Sequence, residues 1–170
     1  MSFTGASILS IEQFSLDDVE RIFAVADRMQ PFASRERVTK ALDGAILGNI
    51  FLEPSTRTRI SFGSAFNLLG GHVRETSDIS SSAFVKGESL QDSARILSGY
   101  SDIICLRHPT SGSVEKFAKH SRVPVINGGD GANEHPTQAL LDLFTIKKEL
   151  RAKNRDINNL RICLLYTSPS

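Results

Sequence analysis

Glu53-Pro54-Ser55-Thr56-Arg57-Thr58-Arg59 gathers three hydroxyls and two guanidiniums directly after an apolar run. At a helix start such a group suits an oxyanion. The first backbone N–H groups have no partner inside the helix, and the helix dipole favours negative charge there. Ser55, Thr56 and Thr58 add hydroxyl donors, and Arg57 adds a planar fork that can hold two phosphate oxygens. The plainer alternative is a Ser/Thr cap flanked by two solvated arginines. The segment lacks the glycines of a Walker loop or a dinucleotide fingerprint. Arg59 need not point with Arg57 and can serve instead in a structural ion pair.

Three further segments join it. Arg107-His108-Pro109 follows a strand predicted to end at Leu106, so Arg107 can reach the same anion, with a surface arginine as the alternative. His135-Pro136-Thr137-Gln138 opens a helix after the turn-rich Asn127-Gly128-Gly129-Asp130-Gly131. His135 could donate to a carbonyl oxygen and Gln138 could bond an amide, which together suit a small planar carbonyl–amino group. The alternative is a His–Pro helix entry with a satisfied imidazole. Ser80 to Glu88, with Ser82 and Lys86, suits either a mobile lid or a plain solvated loop. Jointly these residues suit a dianionic phosphate carrying a small acyl or amide group. The sequence shows no trusted Ser–His–Asp spacing, metal cluster or paired carboxylates. The implied chemistry is positioning and electrostatic stabilisation of a leaving phosphate.

The elements that must hold these residues alternate. Ser15-Leu16-Asp17-Asp18 starts a helix with apolar positions at Val19, Ile22, Phe23, Val25 and Ala26, ending near Pro31. Strands are predicted at 45–52, 72–75, 102–106, 123–126 and 160–165. Helices are predicted at about 56–69, 89–99, 114–120 and 136–150, the last with a proline in its first turn. This alternation predicts a doubly wound α/β fold, with a mostly parallel sheet and helices on both faces. In such sheets ligands bind beyond the carboxyl ends of the strands, where the polar segments fall.

Composition excludes several classes. With 40% hydrophobic residues in 170 the chain can build a core. Twenty basic and 19 acidic residues give a net charge of +1, which argues against nucleic acid or membrane held by bulk charge. Lys147 to Lys153 reads as a solvated helix end with cations near its negative pole. No apolar run approaches the ~20 residues that span a bilayer, and Met1 to Ser10 lacks the regions of a secretory signal, so a cytoplasmic protein is expected. Cys105 and Cys163 both sit in apolar runs and read as buried structural thiols.

FLEPSTRTRISF, KGESLQD, LRHP and HPTQALLDLFTI together resemble the carbamoyltransferase family, and the aspartate carbamoyltransferase catalytic chains above all. The likeness runs from about Phe14 to Ile162. The resemblance implies that Ser55, Thr56, Arg57 and Thr58 bind the phosphate of carbamoyl phosphate. Arg107 also reaches it, and with Thr58 and His135 polarises the carbamoyl oxygen, while Gln138 holds the carbamoyl nitrogen. Ser82 and Lys86 match residues that enter a neighbouring subunit's site, implying a homotrimer. Glu53 matches a position that pairs with arginines of a second domain. The implied reaction joins L-aspartate to the carbamoyl group, giving N-carbamoyl-L-aspartate and phosphate in de novo pyrimidine synthesis. No cofactor or metal is implied, and regulatory subunits are left open as partners.

The resemblance stops after Ile162. Residues 1–162 read as the carbamoyl-phosphate-binding domain, 163–170 as a tail departing from the family pattern, and the aspartate-binding domain as absent. A truncated reading frame, inactive by itself, is the expectation. The alternatives are an ornithine carbamoyltransferase fragment and a non-catalytic binding or assembly module. The Arg107-His108-Pro109 and Lys86-Gly87-Glu88 contexts favour the aspartate enzyme.

Overall fold

The computed structural model describes residues 2–76, 88–157 and 160–163. The described elements are a 3-10 turn (Ile11–Gln13), α1 (Leu16–Ala33), β1 (Ile46–Phe51), α2 (Arg57–Leu68), β2 (His72–Thr76), α3 (Leu90–Leu97), β3 (Ile103–His108), α4 (Ser113–Ala118), β4 (Val125–Asp130) and α5 (Pro136–Ala152). The strands form a parallel sheet in the order β2-β1-β3-β4. The chain leaves β1 for β2 on one side and returns to β3 on the other. The boundary between β1 and β3 is therefore the switch point at which open α/β sheets bind ligands.

Alternation along the central strands sorts their side chains onto two faces. Ile50, Ile104 and Leu106 pack with Ala94 of α3 and with Val114 and Phe117 of α4. Leu47, Phe51 and Cys105 pack with Phe62 and Phe66 of α2. Each fully buried Leu, Ile or Phe contributes about 1.5–3 kcal/mol, so these two layers hold the sheet rigid beneath its carboxyl ends. Helix α1 contacts α2 and packs Phe23 at a tilt against Phe144 of α5, with ring centroids 5.3 Å apart. Lys147 of α5 also pairs with Glu20 of α1. Helices on both faces of a parallel sheet agree with the predicted class.

Several sequence-based expectations are corrected. Pro31 lies inside α1, which continues to Ala33. Proline removes its own N–H bond only, and Ser34 N still donates to the Gln30 carbonyl at 2.9 Å. Strand β3 continues through Arg107 and His108, where pairing persists with Phe51 and Asp130, and stops before Pro109. Asn127 to Asp130 belong to β4 and not to a turn. Residues 160–163 carry no strand, and 164–165 lie outside the described residues. Cys163 is exposed, whereas Cys105 is buried as expected.

One pairing was not anticipated. The N-terminal segment forms a parallel bridge along the outer edge of β4, with Ile8 N donating to Val125 O and Asn127 N donating to Ile8 O, both at 2.8 Å. That pairing covers part of an otherwise open strand edge. Among the described residues, no helix is long and apolar enough to cross a membrane.

Candidate functional site

The site is assembled at the carboxyl ends of β1, β3 and β4. After β1 the chain passes Glu53 and Pro54 and enters α2 at Thr56. Thr56 is the N-cap residue, yet its side chain makes no capping bond. The Ser/Thr-cap alternative therefore does not hold for Thr56, whose hydroxyl caps none of the first N–H groups of α2. Pro54, Ser55, Thr56, Arg57, Thr58 and Arg107 surround a cavity of about 450 Å³ at this helix end.

The first turn of α2 is anchored from below. Asn49, buried in β1, donates from Nδ2 to the Arg59 carbonyl at 3.0 Å. Arg59 Nη1 donates to Glu75 Oε2 of β2 at 2.7 Å. Arg59 is thus a structural ion-pair residue turned away from Arg57, as one of the two sequence-based options held.

Arg107 owes its placement to β4. Between Leu106 and His108 the register with β4 shifts, Leu106 facing Asn127 and His108 facing Asp130. The extra β4 residue makes a bulge opposite Arg107, a device that re-aims side chains at strand ends. Gly129 occupies the bulge at φ +130°, and a Cβ there would lie 3.1 Å from the Arg107 guanidinium. The positive φ favours glycine, and a Cβ there would press on the guanidinium. Arg107 Nε donates to Glu53 Oε1 at 2.5 Å, and Nη1 reaches Gly128 O at 3.4 Å. Here Glu53 pairs with Arg107 within the chain, while the family likeness pointed to arginines of a second domain.

His135 is the N-cap residue of α5 and also makes no side-chain capping bond. The loop before it is fastened on two sides. Asp130, 3% exposed, accepts Gly112 N at 2.8 Å and Val114 N at 3.3 Å, tying the turn after Arg107 to the end of β4. Glu134 accepts the Ser10 hydroxyl at 2.9 Å and Ile11 N at 3.3 Å, tying the N-terminal segment to the residue before His135. Burial, then the positive charge of Arg107, pushes the His135 pKa below its usual 6.5, against the weaker pull of Asp142 and Glu53. The shift favours the neutral imidazole, which has one N–H to donate. His108 is lowered too, chiefly by burial, and its Nδ1 is occupied by Thr110 N at 2.9 Å.

Arg57, Thr58, Arg107, His135 and Gln138 line one cleft of about 840 Å³ between α2 and α5. Arg57, Thr58 and Arg107 also bound the smaller cavity, so the two spaces adjoin. The structure thus brings together the α2 cradle, Arg107, His135 and Gln138. Ser82 and Lys86 lie outside the described residues. Sequence reading missed Ser61, Phe62, Ala65 and Leu141, which also line the cleft. Helical arithmetic signals them. Ser61, Phe62 and Ala65 follow Thr58 on one helix face, and Leu141 follows Gln138 by one turn. Glu53, Asp130 and Glu134 as fasteners carried no local signal, because their partners are remote in sequence.

Comparison with known proteins fits this geometry. Residues 6–148 match the family model described as aspartate/ornithine carbamoyltransferase, carbamoyl-P binding domain. The chain belongs to this carbamoyltransferase family. It is 69% identical over 165 residues to the aspartate carbamoyltransferase catalytic subunit of Cellvibrio japonicus, covering 97% of this chain and 49% of that relative. It superposes on aspartate transcarbamoylase from Trypanosoma cruzi, solved with carbamoyl phosphate and aspartate, with a TM-score of 0.81 and 41% identity, covering 86% of this chain and 48% of that one. For the catalytic subunit of Methanocaldococcus jannaschii aspartate transcarbamoylase the TM-score is 0.79 at 45% identity, covering 88% of this chain and 48% of that one. The chain spans about half the length of the curated relatives it matches. Within this carbamoyltransferase domain the cleft lies at the sheet's switch point, with the α2 cradle at one end and the first turn of α5 at the other.

Proposed function

We propose that this domain binds carbamoyl phosphate and supplies the carbamoyl-phosphate half of an aspartate carbamoyltransferase site. The observation that carries the reading is the convergence of Arg57, Thr58, Arg107, His135 and Gln138 on one cleft beside an uncapped helix start. Ser55, Thr56, Arg57, Thr58 and Arg107 hold the phosphate through N–H, hydroxyl and guanidinium donors. Thr58, Arg107 and the neutral His135 donate to the carbamoyl oxygen, and Gln138 accepts from the carbamoyl nitrogen. In the whole protein the amine of L-aspartate attacks the carbamoyl carbon. A C–N bond forms, the C–O bond to phosphate breaks, the attacking amine gives up a proton that the departing phosphate takes, and N-carbamoyl-L-aspartate and phosphate result, a step of pyrimidine synthesis. The same donors stabilise the charge that grows on the carbamoyl oxygen and the departing phosphate. In this reading residues 1–162 act as the binding unit, and Ser82 and Lys86 serve the site of a neighbouring copy in a cytoplasmic homotrimer.

Titration calorimetry of carbamoyl phosphate into the chain and into Arg57→Ala tests the binding. A charged hydrogen bond contributes about 1.5–3 kcal/mol, so the variant is expected to lose at least about tenfold in affinity. Equal affinity in the two proteins would overturn the reading.

A further inference from the structure

Asp142 is out of place electrostatically. It stands one helical turn beyond Gln138 on α5, and its charge is felt at His135, where it opposes the effect of Arg107. A carboxylate this near an anion site weakens the attraction for phosphate. Its geometry gives it another task. Gln138 Nε2 donates to Asp142 Oδ1 at 2.9 Å. An ionised carboxylate only accepts, whereas a glutamine amide has a donor end and an acceptor end that are alike in shape. With Asp142 as its neighbour, the amide is favoured in one orientation. The NH₂ end turns along the helix to Asp142, and Oε1 is the end left for the cleft that Gln138 lines.

We propose that Asp142 is a specificity-positioning residue, holding Gln138 so that its oxygen faces the ligand and the cleft prefers an acyl phosphate bearing an amino group over one bearing a methyl. This rests on the carbamoyl-phosphate reading above. Asp142 touches no ligand itself. It removes the second amide orientation, in which Gln138 would present N–H groups to the ligand's own N–H donors. A methyl group in place of the amino group leaves Oε1 without its donor, and a polar group built to bond a substrate N–H discriminates against the analogue that lacks it.

The test compares inorganic phosphate, acetyl phosphate and carbamoyl phosphate by titration calorimetry in the wild-type chain, Gln138→Ala and Asp142→Leu, whose side chain is close in size to aspartate and accepts no hydrogen bond. Wild type is expected to bind carbamoyl phosphate about fivefold more tightly than acetyl phosphate, the effect of one neutral hydrogen bond. Gln138→Ala is expected to bring that ratio close to one, and Asp142→Leu to lower it about twofold by freeing the second amide orientation. Asp142→Leu also removes a negative charge, which strengthens all three ligands alike, so the ratio is the readout that a merely structural role would not move. A ratio that falls in Gln138→Ala and stays intact in Asp142→Leu overturns the role of Asp142. Exchange of the Gln138 side-chain NH₂ protons as fast as in free glutamine, seen by NMR in the wild type, overturns it without any variant. Absence of binding for all three ligands in the wild type brings down the carbamoyl-phosphate reading and this proposal with it.

Discussion

Helices α1 and α3 begin differently from α2 and α5. Ser15 and Ser89 each accept the backbone N–H three residues on, from Asp18 at 3.2 Å and from Asp92 at 3.1 Å. In α1 Ser15 N donates in turn to the Asp18 carboxylate at 3.1 Å, closing a reciprocal box. Thr56 and His135 make no such bonds, and Pro136 has no N–H to offer in any case. Helix α4 lies between these cases, since its start is served by Asp130 from another strand. Among the described helices, the starts that no side chain is seen to cap are the two that flank the cleft. A helix end that caps itself is finished as a structure, whereas one left open in a rigid scaffold keeps donors for a ligand.

The borrowed cap is expected to give the largest effect. Asp130→Ala leaves the Gly112 and Val114 N–H groups unpaired under the sheet end and unties the turn that follows Arg107 from the strand end that leads to His135. A loss of about 2–3 kcal/mol is expected in urea unfolding, together with weaker phosphate binding. A change below about 0.5 kcal/mol, the scale of an ordinary surface substitution, would show that the loops hold themselves.

The next two variants form a matched pair. Ser15→Ala is expected to cost about 1 kcal/mol of stability and to leave phosphate affinity unchanged. Thr56→Ala is expected to stay within about 0.5 kcal/mol in stability and to weaken phosphate binding several-fold, because its hydroxyl caps nothing. If Thr56→Ala destabilises as much as Ser15→Ala with unaltered binding, the contrast between the helix starts collapses.

The smallest expected effect is in the pH response. His135 and His108 both have folded-state pKa values below the ordinary 6.5. As pH falls through 6.5 the unfolded chain takes up protons that the folded chain does not, so stability falls with pH across that window and levels off below the folded values. NMR titration is expected to show His135 titrating below 6.5 and rising when phosphate, a dianion, occupies the cradle. An unmoved His135 on saturation with phosphate would place the anion elsewhere.

Much of the site was legible locally. The hydroxyl-guanidinium cluster, Arg107, His135 and Gln138 each stand next to a strand or helix boundary that hydrophobic periodicity and cap residues reveal. The glycines of β4 misled, because Gly128 and Gly129 carry turn chemistry in sequence and act here as a bulge that makes room for Arg107. Pro31 misled in the opposite sense, since a proline near a helix end removes one bond and leaves the neighbouring ones in place. Ser61, Phe62 and Ala65 were recoverable from helical spacing, but only once Thr58 was known to face the cleft.

By itself, the sequence determined which groups could bind an anion and that strands and helices alternate, because side-chain chemistry and apolar period are local properties. Only the tertiary structure decided which way each group points. Arg59 turns to Glu75, Arg107 to Glu53 and the cleft, and Asp130 and Glu134 to segments remote in sequence. The reason is physical: orientation is set by which partners the folded sheet brings within hydrogen-bond reach, and those partners are separated by up to 124 positions along the chain.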